Sequence, residues 1–362
     1  MRILQLITQT KVGGAESFAL NLAVALQARG HEVRILAHRD NGPLFARAPH
    51  GLSYGACPRR SRLDLRLFPF LQRHVRDFQP DVIHAHNFPA NTWARVLGHL
   101  HPRVKIVCHE HSGTIRQRPL RRFLIDRLLN GRTALYLAVS GEIVTALHRA
   151  RVIAPDKVHE LAVGIDIARF ASAQADEARL PEGARGRPRA LQLASLIRVK
   201  NHRMVLEAFA PVAAATEAVL LLAGDGPLRG EIEARIAQPD LQGRVFPLGL
   251  RSDVPELLSL STAFVLSSRT EGMPLALLES MAAGVCPVVP AVGAIPQLVQ
   301  SGENGLLYPA GDQAALSAAL LETFRDPATA HARGERGRAI VAERYSITTI
   351  AALVEAHYRS VL

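Results

Sequence analysis

Glu271 sits in a polar turn, Ser267 to Gly272, and Glu279 follows eight positions later in the run MPLALLES. A carboxylate only accepts hydrogen bonds, so the pair suits the hydroxyl donors of a sugar or a ribose. Pro274 needs no N–H at a helix start, and the spacing predicts a helix from about Met273–Pro274 to Gly284. The free N–H groups and the dipole at such a start favour an anion such as a diphosphate. Gly13 and Gly14 would let a backbone approach a phosphate or an acceptor closely. No GxGxxG is present, which argues against a nicotinamide dinucleotide site. Two His-x-His pairs, His84/His86 and His109/His111, each share one face of a strand, a spacing compatible with zinc. Structural accounts stand beside these: a helix-dipole partner for Glu271, a solvated face for Glu279, a tight glycine turn, and core hydrogen bonds for the histidines.

These groups need elements to hold them, and the chain supplies alternating ones. Apolar runs at Arg2–Ile7, Glu32–Ala37, Asp81–His84, Lys105–Cys108 and Ala134–Val139 read as strands. The stretch Glu16–Gln27 has apolar residues at helical spacing and ends at Gly30. The segment 171–189 is poor in large apolar residues and reads as an interdomain linker or exposed loop. The alternation then restarts at Ala190–Leu196, Val219–Ala223, Arg244–Leu248, Ala263–Leu266 and Val285–Val289. Strand–helix alternation implies parallel sheets with right-handed crossovers, here in two domains. The tail Ile347–Leu362 has helical spacing and is expected to pack back onto the body.

The 362 residues, 48% hydrophobic and 21% charged, suit two globular domains rather than a disordered chain. No apolar run is long enough to span a bilayer, and the start lacks a signal-peptide pattern. Cys57, Cys108 and Cys286 have no metal-like spacing and fit a reducing compartment, the cytoplasm. The net charge of +11 is lopsided: residues 1–165 carry 24 Lys+Arg against 11 Asp+Glu, or +13, leaving −2 for the rest. Such a field points to an anionic partner for the first half. Within it, Arg116–Arg132 holds six Arg against one Asp, with Leu120, Phe123, Leu124 and Leu128 on one helical face. That pattern suits either an anionic membrane surface or a core-facing helix with a charged outer face.

The block FVLSSRTEGMPLALLESMAAGVCPVV (264–289) resembles the donor-binding region of the retaining GT-B glycosyltransferases of family 4 (glycosyl transferases group 1). The resemblance covers nearly the whole chain: VGGAESFALNLAVAL, CHEHSG, LAVS, VGIDIARF, LIRVKNH, GDGPLRGEIE, FPLGLRSDVPELLSLS and VGAIPQLVQSGENGLLYPAGD fall in the family's order. It implies an α/β GT-B fold, two Rossmann-like domains with parallel sheets facing across a cleft. The expected domains are 1–168 for the acceptor, 169–345 for the nucleotide-sugar donor, and a C-terminal helix, 346–362, crossing back.

The resemblance also assigns roles. Glu279 would bind the nucleotide ribose and Glu271 the sugar hydroxyls, while Gly272, Met273, Pro274 and Leu275 surround sugar and phosphates. Lys200 matches the basic residue that neutralises the diphosphate leaving group, a placement that stabilises charge developing there. Gly13, Gly14, Gly224 and Leu250 complete the donor-binding set. His111 is expected to approach the donor sugar, with His109 as the alternative. The family's Arg five residues before the Lys is replaced by Ser195, and Arg198 is the candidate substitute. Many members have Asn where this chain has Val163. No cofactor and no protein-bound metal are implied. The implied reaction moves a sugar, with retention, from a nucleoside diphosphate sugar (uridine ahead of guanosine) to a hydroxyl of a glycan or lipid-linked acceptor. Cell-surface polysaccharide or lipopolysaccharide synthesis, at the inner face of the plasma membrane, is the expected setting, without nucleic acid. The alternatives are a sugar-nucleotide 2-epimerase on the same fold and a basic, non-enzymatic membrane- or nucleic-acid-binding protein.

Overall fold

The structure, a computed structural model, describes residues 1–58, 64–111 and 119–362. It divides into two units, Met1–Ile165 with Ile347–Leu362, and Asp166–Ser346.

In the first unit the chain runs β1 (Arg2–Ile7), α1 (Gly14–Ala28), β2 (Glu32–Ala37), β3 (Ser53–Ala56), α2 (Leu67–Phe78), β4 (Val82–His86), α3 (Asn87–Leu100), β5 (Lys105–Glu110), α4 (Leu120–Leu129), β6 (Thr133–Ala138), α5 (Gly141–Arg149) and β7 (Val158–Glu160). The strands form one parallel sheet in the order β3-β2-β1-β4-β5-β6-β7. Strands β1, β4 and β5 are buried almost throughout because helices cover both faces of such a sheet. The order reverses between β1 and β4, so the loops after those two strands diverge and leave a crevice at their carboxyl ends. The C-terminal helix α14 (Ile347–Val361) belongs to this unit. Ile347 N–H donates to Ile165 O at 2.7 Å, and Gly164 is required there because a Cβ would stand 2.8 Å from Ile350. Arg29, the C-cap of α1, donates to the Glu355 carboxylate at 2.6 Å, and Arg359 together with Arg29 holds that carboxyl down to about 2.

The second unit comprises α6 (Ile167–Ala171), β8 (Arg189–Leu193), α7 (His202–Ala215), β9 (Val219–Ala223), α8 (Arg229–Ile236), β10 (Val245–Gly249), α9 (Val254–Ser259), β11 (Ala263–Val265), α10 (Leu275–Ala282), β12 (Cys286–Pro290), α11 (Ile295–Leu298), β13 (Leu306–Tyr308), α12 (Gln313–Arg325) and α13 (Pro327–Arg344); α14 is Ile347–Val361. Its parallel sheet has the order β10-β9-β8-β11-β12-β13, and the reversal lies between β8 and β11. The core on one face of this sheet includes Phe209, Val205, Leu220 and Leu320, all fully buried. Burying each such side chain stabilises the fold by about 1.5–3 kcal/mol.

Three strands lie outside the sequence expectation, β3, β7 and β13. Each is a sheet edge of three or four residues, too short to show a periodic apolar run. Of the two readings of 171–189, the exposed loop holds and the linker does not: the segment belongs to the second unit and most of it is exposed. Leu180 and Ala184 are buried, and Arg185 donates to Leu180 O.

Helix α4 departs from the core-facing alternative. Leu120, Leu124 and Leu128 are exposed, at 72%, 55% and 81%, and the buried member of the helix is Asp126. Asp126 pairs with the fully buried Arg95 of α3, which also donates to Thr133 Oγ1 at 2.8 Å and lies over the Tyr136 ring. A buried pair of this kind tolerates no missing partner, so it fixes which face of α4 turns inward. Arg116 and Arg118 of the basic run lie outside the described residues.

Candidate active site

In the second unit Lys200 and Glu271 meet beyond the carboxyl ends of β8 and β11, while Gly224 and Leu250 follow β9 and β10. Helix α10 begins at Leu275 with Pro274 as its N-cap, and Gly284 ends it at φ +75°. The turn before it carries Glu271, 8% exposed, whose Oε1 accepts from Lys200 Nζ at 2.6 Å. Lys200 ends a short 3-10 turn, Arg198–Lys200, and Asn201 turns the chain into α7 at φ +52°. Two hydrogen bonds to its backbone carbonyls fix that turn against the β11 loop. Ser267 Oγ lies 2.9 Å from Lys200 O, and Arg269 N–H donates to Val199 O at 2.9 Å. Two residues 71 apart in sequence thus form a charge-assisted hydrogen bond, braced by the bonds to the Val199 and Lys200 carbonyls.

Glycines let the loops meet. A Cβ on Gly224, at φ +152°, would stand 2.0 Å from Ala194 O, and one on Gly293, at φ +57°, 2.1 Å from Glu271 O. Neither contact tolerates a side chain. Ala294 N–H then donates to Gly272 O at 3.0 Å, closing the turn beneath Glu271. Gly272 and Met273 are buried; Leu275 and Glu279 are half-buried and, four apart, share one helix face. Arg198 is exposed beside Lys200, as is Ser195. Leu250 is 77% exposed just after β10.

In the first unit Gly13 caps α1 and Gly14 is its first residue. The space at Gly13 is filled by Glu16, whose Oε2 would lie 2.6 Å from a Cβ there. Burial pushes the Glu16 carboxyl up from its ordinary value.

The four histidines converge at the carboxyl ends of β4 and β5. His86 Nδ1 lies 3.0 Å from His111 Nε2, His84 Nε2 lies 3.2 Å from His109 Nδ1, and His84 Nδ1 lies 2.6 Å from the Tyr358 hydroxyl of α14. Phe18 of α1 packs edge-on against His86 and His109. Burial lowers the pKa of all four, that of His111 to about 3, so the cluster is neutral at ordinary pH. His84, His86 and His109 bring ring nitrogens within 4.8 Å of one another, the grouping among the described residues that comes nearest to a metal site. Most of those nitrogens are engaged with each other, with His111, with Gln5 and with Tyr358, whereas His109 Nε2 is buried without a hydrogen-bond partner among the described residues. His84, His86 and His109 are almost fully buried, whereas His111 is only half-buried, its backbone N–H held by Asn87 Oδ1 at 3.1 Å. Of the two candidates for a sugar contact, His111 is the accessible one.

Sequence reasoning did not single out Gln5, Asn87 or Tyr358. Gln5 is the one polar residue among the buried positions of RILQLI, a signal that was legible; Asn87 occupies φ +67°, and Tyr358 reaches the cluster from the far end of the chain.

Two family descriptions match, "Glycosyltransferase Family 4" over residues 12–169 and "Glycosyl transferases group 1" over residues 175–340. The alpha-maltose-1-phosphate synthase of Mycolicibacterium smegmatis is 30% identical over 311 residues, covering 77% of this chain and 79% of that protein. The N-acetyl-alpha-D-glucosaminyl L-malate synthase of Bacillus anthracis is 33% identical over 172 residues, spanning 48% of this chain and 45% of that protein. The crystal structure of Anabaena HepE in complex with UDP-glucose superposes with a TM-score of 0.86 at 20% identity, covering 99% of this chain and all of that one. The two doubly wound parallel sheets, the ordered motifs and these matches lead to one assignment: the chain belongs to glycosyltransferase family 4, glycosyl transferases group 1, and is a glycosyltransferase of the GT-B fold.

Proposed function

We propose that this enzyme transfers a hexosyl group from a nucleoside diphosphate sugar, with uridine ahead of guanosine, to a hydroxyl of a glycan or lipid-linked acceptor, with retained configuration. The observation that carries the reading is the Lys200–Glu271 pair at the sheet reversal of the second unit, beside the start of α10. In this reading the diphosphate takes Lys200 as its cation and lies against the amides around Gly272, Met273 and Leu275. Pro274 has no N–H to give. Glu271 accepts from sugar hydroxyls and Glu279 from the ribose, while Gly224 and Leu250 flank the donor and Gly13, Gly14 and His111 act from the first unit. Negative charge grows on the departing diphosphate, and a fixed cation there lowers the barrier most. Exposed Arg198 supplies the second positive charge that Ser195 cannot. We assign acceptor binding to 1–168, donor binding to 169–345 and a bridging role to 346–362.

The setting we infer is cell-surface polysaccharide or lipopolysaccharide synthesis on the cytoplasmic face of the membrane. No described helix is long and apolar enough to cross a membrane. Helix α4 instead offers exposed Leu120, Leu124 and Leu128 flanked by exposed Arg121, Arg122 and Arg127, a surface suited to anionic lipid headgroups. Flotation with phosphatidylglycerol-containing vesicles should succeed at low salt and weaken at moderate salt; absence of binding at both removes the membrane from the reading.

A thermal-shift panel of nucleoside diphosphate sugars, followed by transfer assays and anomer determination by NMR, tests the reaction. Product formed from donor alone would instead mark a 2-epimerase. An inverted product would remove retention.

A further inference from the structure

We propose that Gln5, acting through His86, locks His111 in the tautomer that carries its proton on Nε2, so that His111 presents Nδ1 as a bare acceptor for a sugar hydroxyl. The hydroxyl as ligand rests on the reading above; the lock itself does not. Gln5 is a positioning residue.

The argument starts at a buried amide. Gln5 Oε1 lies 2.6 Å from His86 Nε2, and Gln5 Nε2 lies 3.5 Å from the Tyr358 hydroxyl oxygen. An amide oxygen only accepts, so His86 must carry its proton on Nε2. A neutral imidazole has one N–H, which leaves His86 Nδ1 with a lone pair. His111 Nε2 stands 3.0 Å from that lone pair, with ring centroids 5.2 Å apart, and must be the donor. Neutral His111 then has no proton on Nδ1. Burial, which holds its pKa near 3, keeps this single-proton state across the working range.

The other end of the amide is consistent with the same orientation. The Gln5 N–H donates to the Tyr358 oxygen, the Tyr358 hydroxyl then donates to His84 Nδ1 at 2.6 Å, and His84 Nε2–H donates to His109 Nδ1 at 3.2 Å. Protons point toward Gln5 along one arm and away from it along the other, because an amide has one accepting and one donating end. The network therefore has two self-consistent states. In the one set by this amide orientation, all four histidines are Nε2–H. Flipping the amide reverses both arms and makes all four Nδ1–H. Asn87, bonded to the His111 backbone, holds the ring's main chain in place whichever tautomer is present.

The test is long-range 1H–15N correlation NMR on the full chain labelled at histidine, with signals assigned from single His→Gln variants. Nε2–H patterns at both His86 and His111 support the lock; an Nδ1–H pattern at either overturns it. Gln5→Met keeps volume and apolar packing while removing both ends of the amide. It should let His111 populate the Nδ1–H form and lower kcat by about tenfold, the scale of one net hydrogen bond, with little change in donor KM. Unchanged His111 signals in folded Gln5→Met would also overturn the positioning role. Tyr358→Phe should leave the His86 and His111 patterns intact while disturbing His84 and His109; loss of the His111 pattern there would overturn the assignment to Gln5. If the tautomers are as stated and His111→Ala still transfers sugar normally, the lock stands and the role given to His111 in catalysis falls.

Discussion

The two units place polar clusters at the same topological position, a charge pair in one and neutral imidazoles in the other. At the β8/β11 reversal the second unit keeps a full charge pair, Lys200 with Glu271, pinned by bonds to main-chain carbonyls and by glycines that admit no side chain. At the β1/β4 reversal the first unit keeps imidazoles that burial holds neutral, joined by hydrogen bonds. Its buried ion pair, Arg95 with Asp126, sits elsewhere, where Arg95 meets Thr133 at the amino end of β6, while the buried Glu110 ends β5 between His109 and His111. A fixed cation suits a diphosphate, and a neutral acceptor suits a hydroxyl. One fold used twice offers a polar site of each kind because the local sequence decides which groups stay solvated enough to remain charged.

The comparison can be broken most forcefully at its charge pairs. Asp126→Ala strands Arg95 in the core and should destabilise the first unit by about 3–5 kcal/mol in urea unfolding, with α4 loosened. A loss under 1 kcal/mol would mean that water reaches Arg95 readily. Lys200→Ala should lower turnover by about 10²–10³-fold with the fold retained by circular dichroism. Near-normal turnover in the folded variant removes Lys200 from the chemistry.

Gly224→Ala places a Cβ against Ala194 O at a positive φ and should cost about 1–3 kcal/mol from the backbone conformation alone, with donor affinity falling alongside.

Acidification sharpens the contrast further. The histidines of the first unit are neutral in the fold but protonate near 6.5 once unfolded, so the unfolded state binds more protons and stability falls as pH drops below about 6.5. Each contributes up to about 1.4 kcal/mol per pH unit. His111→Gln should therefore flatten the slope of unfolding free energy between pH 6.5 and 5 by up to that amount, and an unchanged slope would show that His111 is solvated in the fold. The smallest effect belongs to α4: Leu124→Ser should change stability by less than about 0.5 kcal/mol yet weaken vesicle binding, because the side chain is exposed.

Much of this was legible before any coordinates. The β1, β2 and β9 runs, the helix start at Pro274 and its stop at Gly284 follow from apolar periodicity and backbone restrictions, which act between near neighbours. The edge strands and the fate of 171–189 were not, since neither carries a periodic apolar signal.

The sequence by itself determined that two parallel α/β units would form and that acids, a lysine, glycine turns and paired histidines would fall at strand ends. Alternation and turn chemistry are local, so the order of residues suffices to set them. Tertiary structure alone decided that Lys200 meets Glu271, that Gln5 and Tyr358, 353 positions apart, bracket the histidines, and that the leucines of α4 face outward. Helical spacing places Leu120, Leu124 and Leu128 on one stripe without saying which way it turns. The burial of Asp126 on Arg95 settles that, because an unpaired charge in the core would cost more than an exposed leucine.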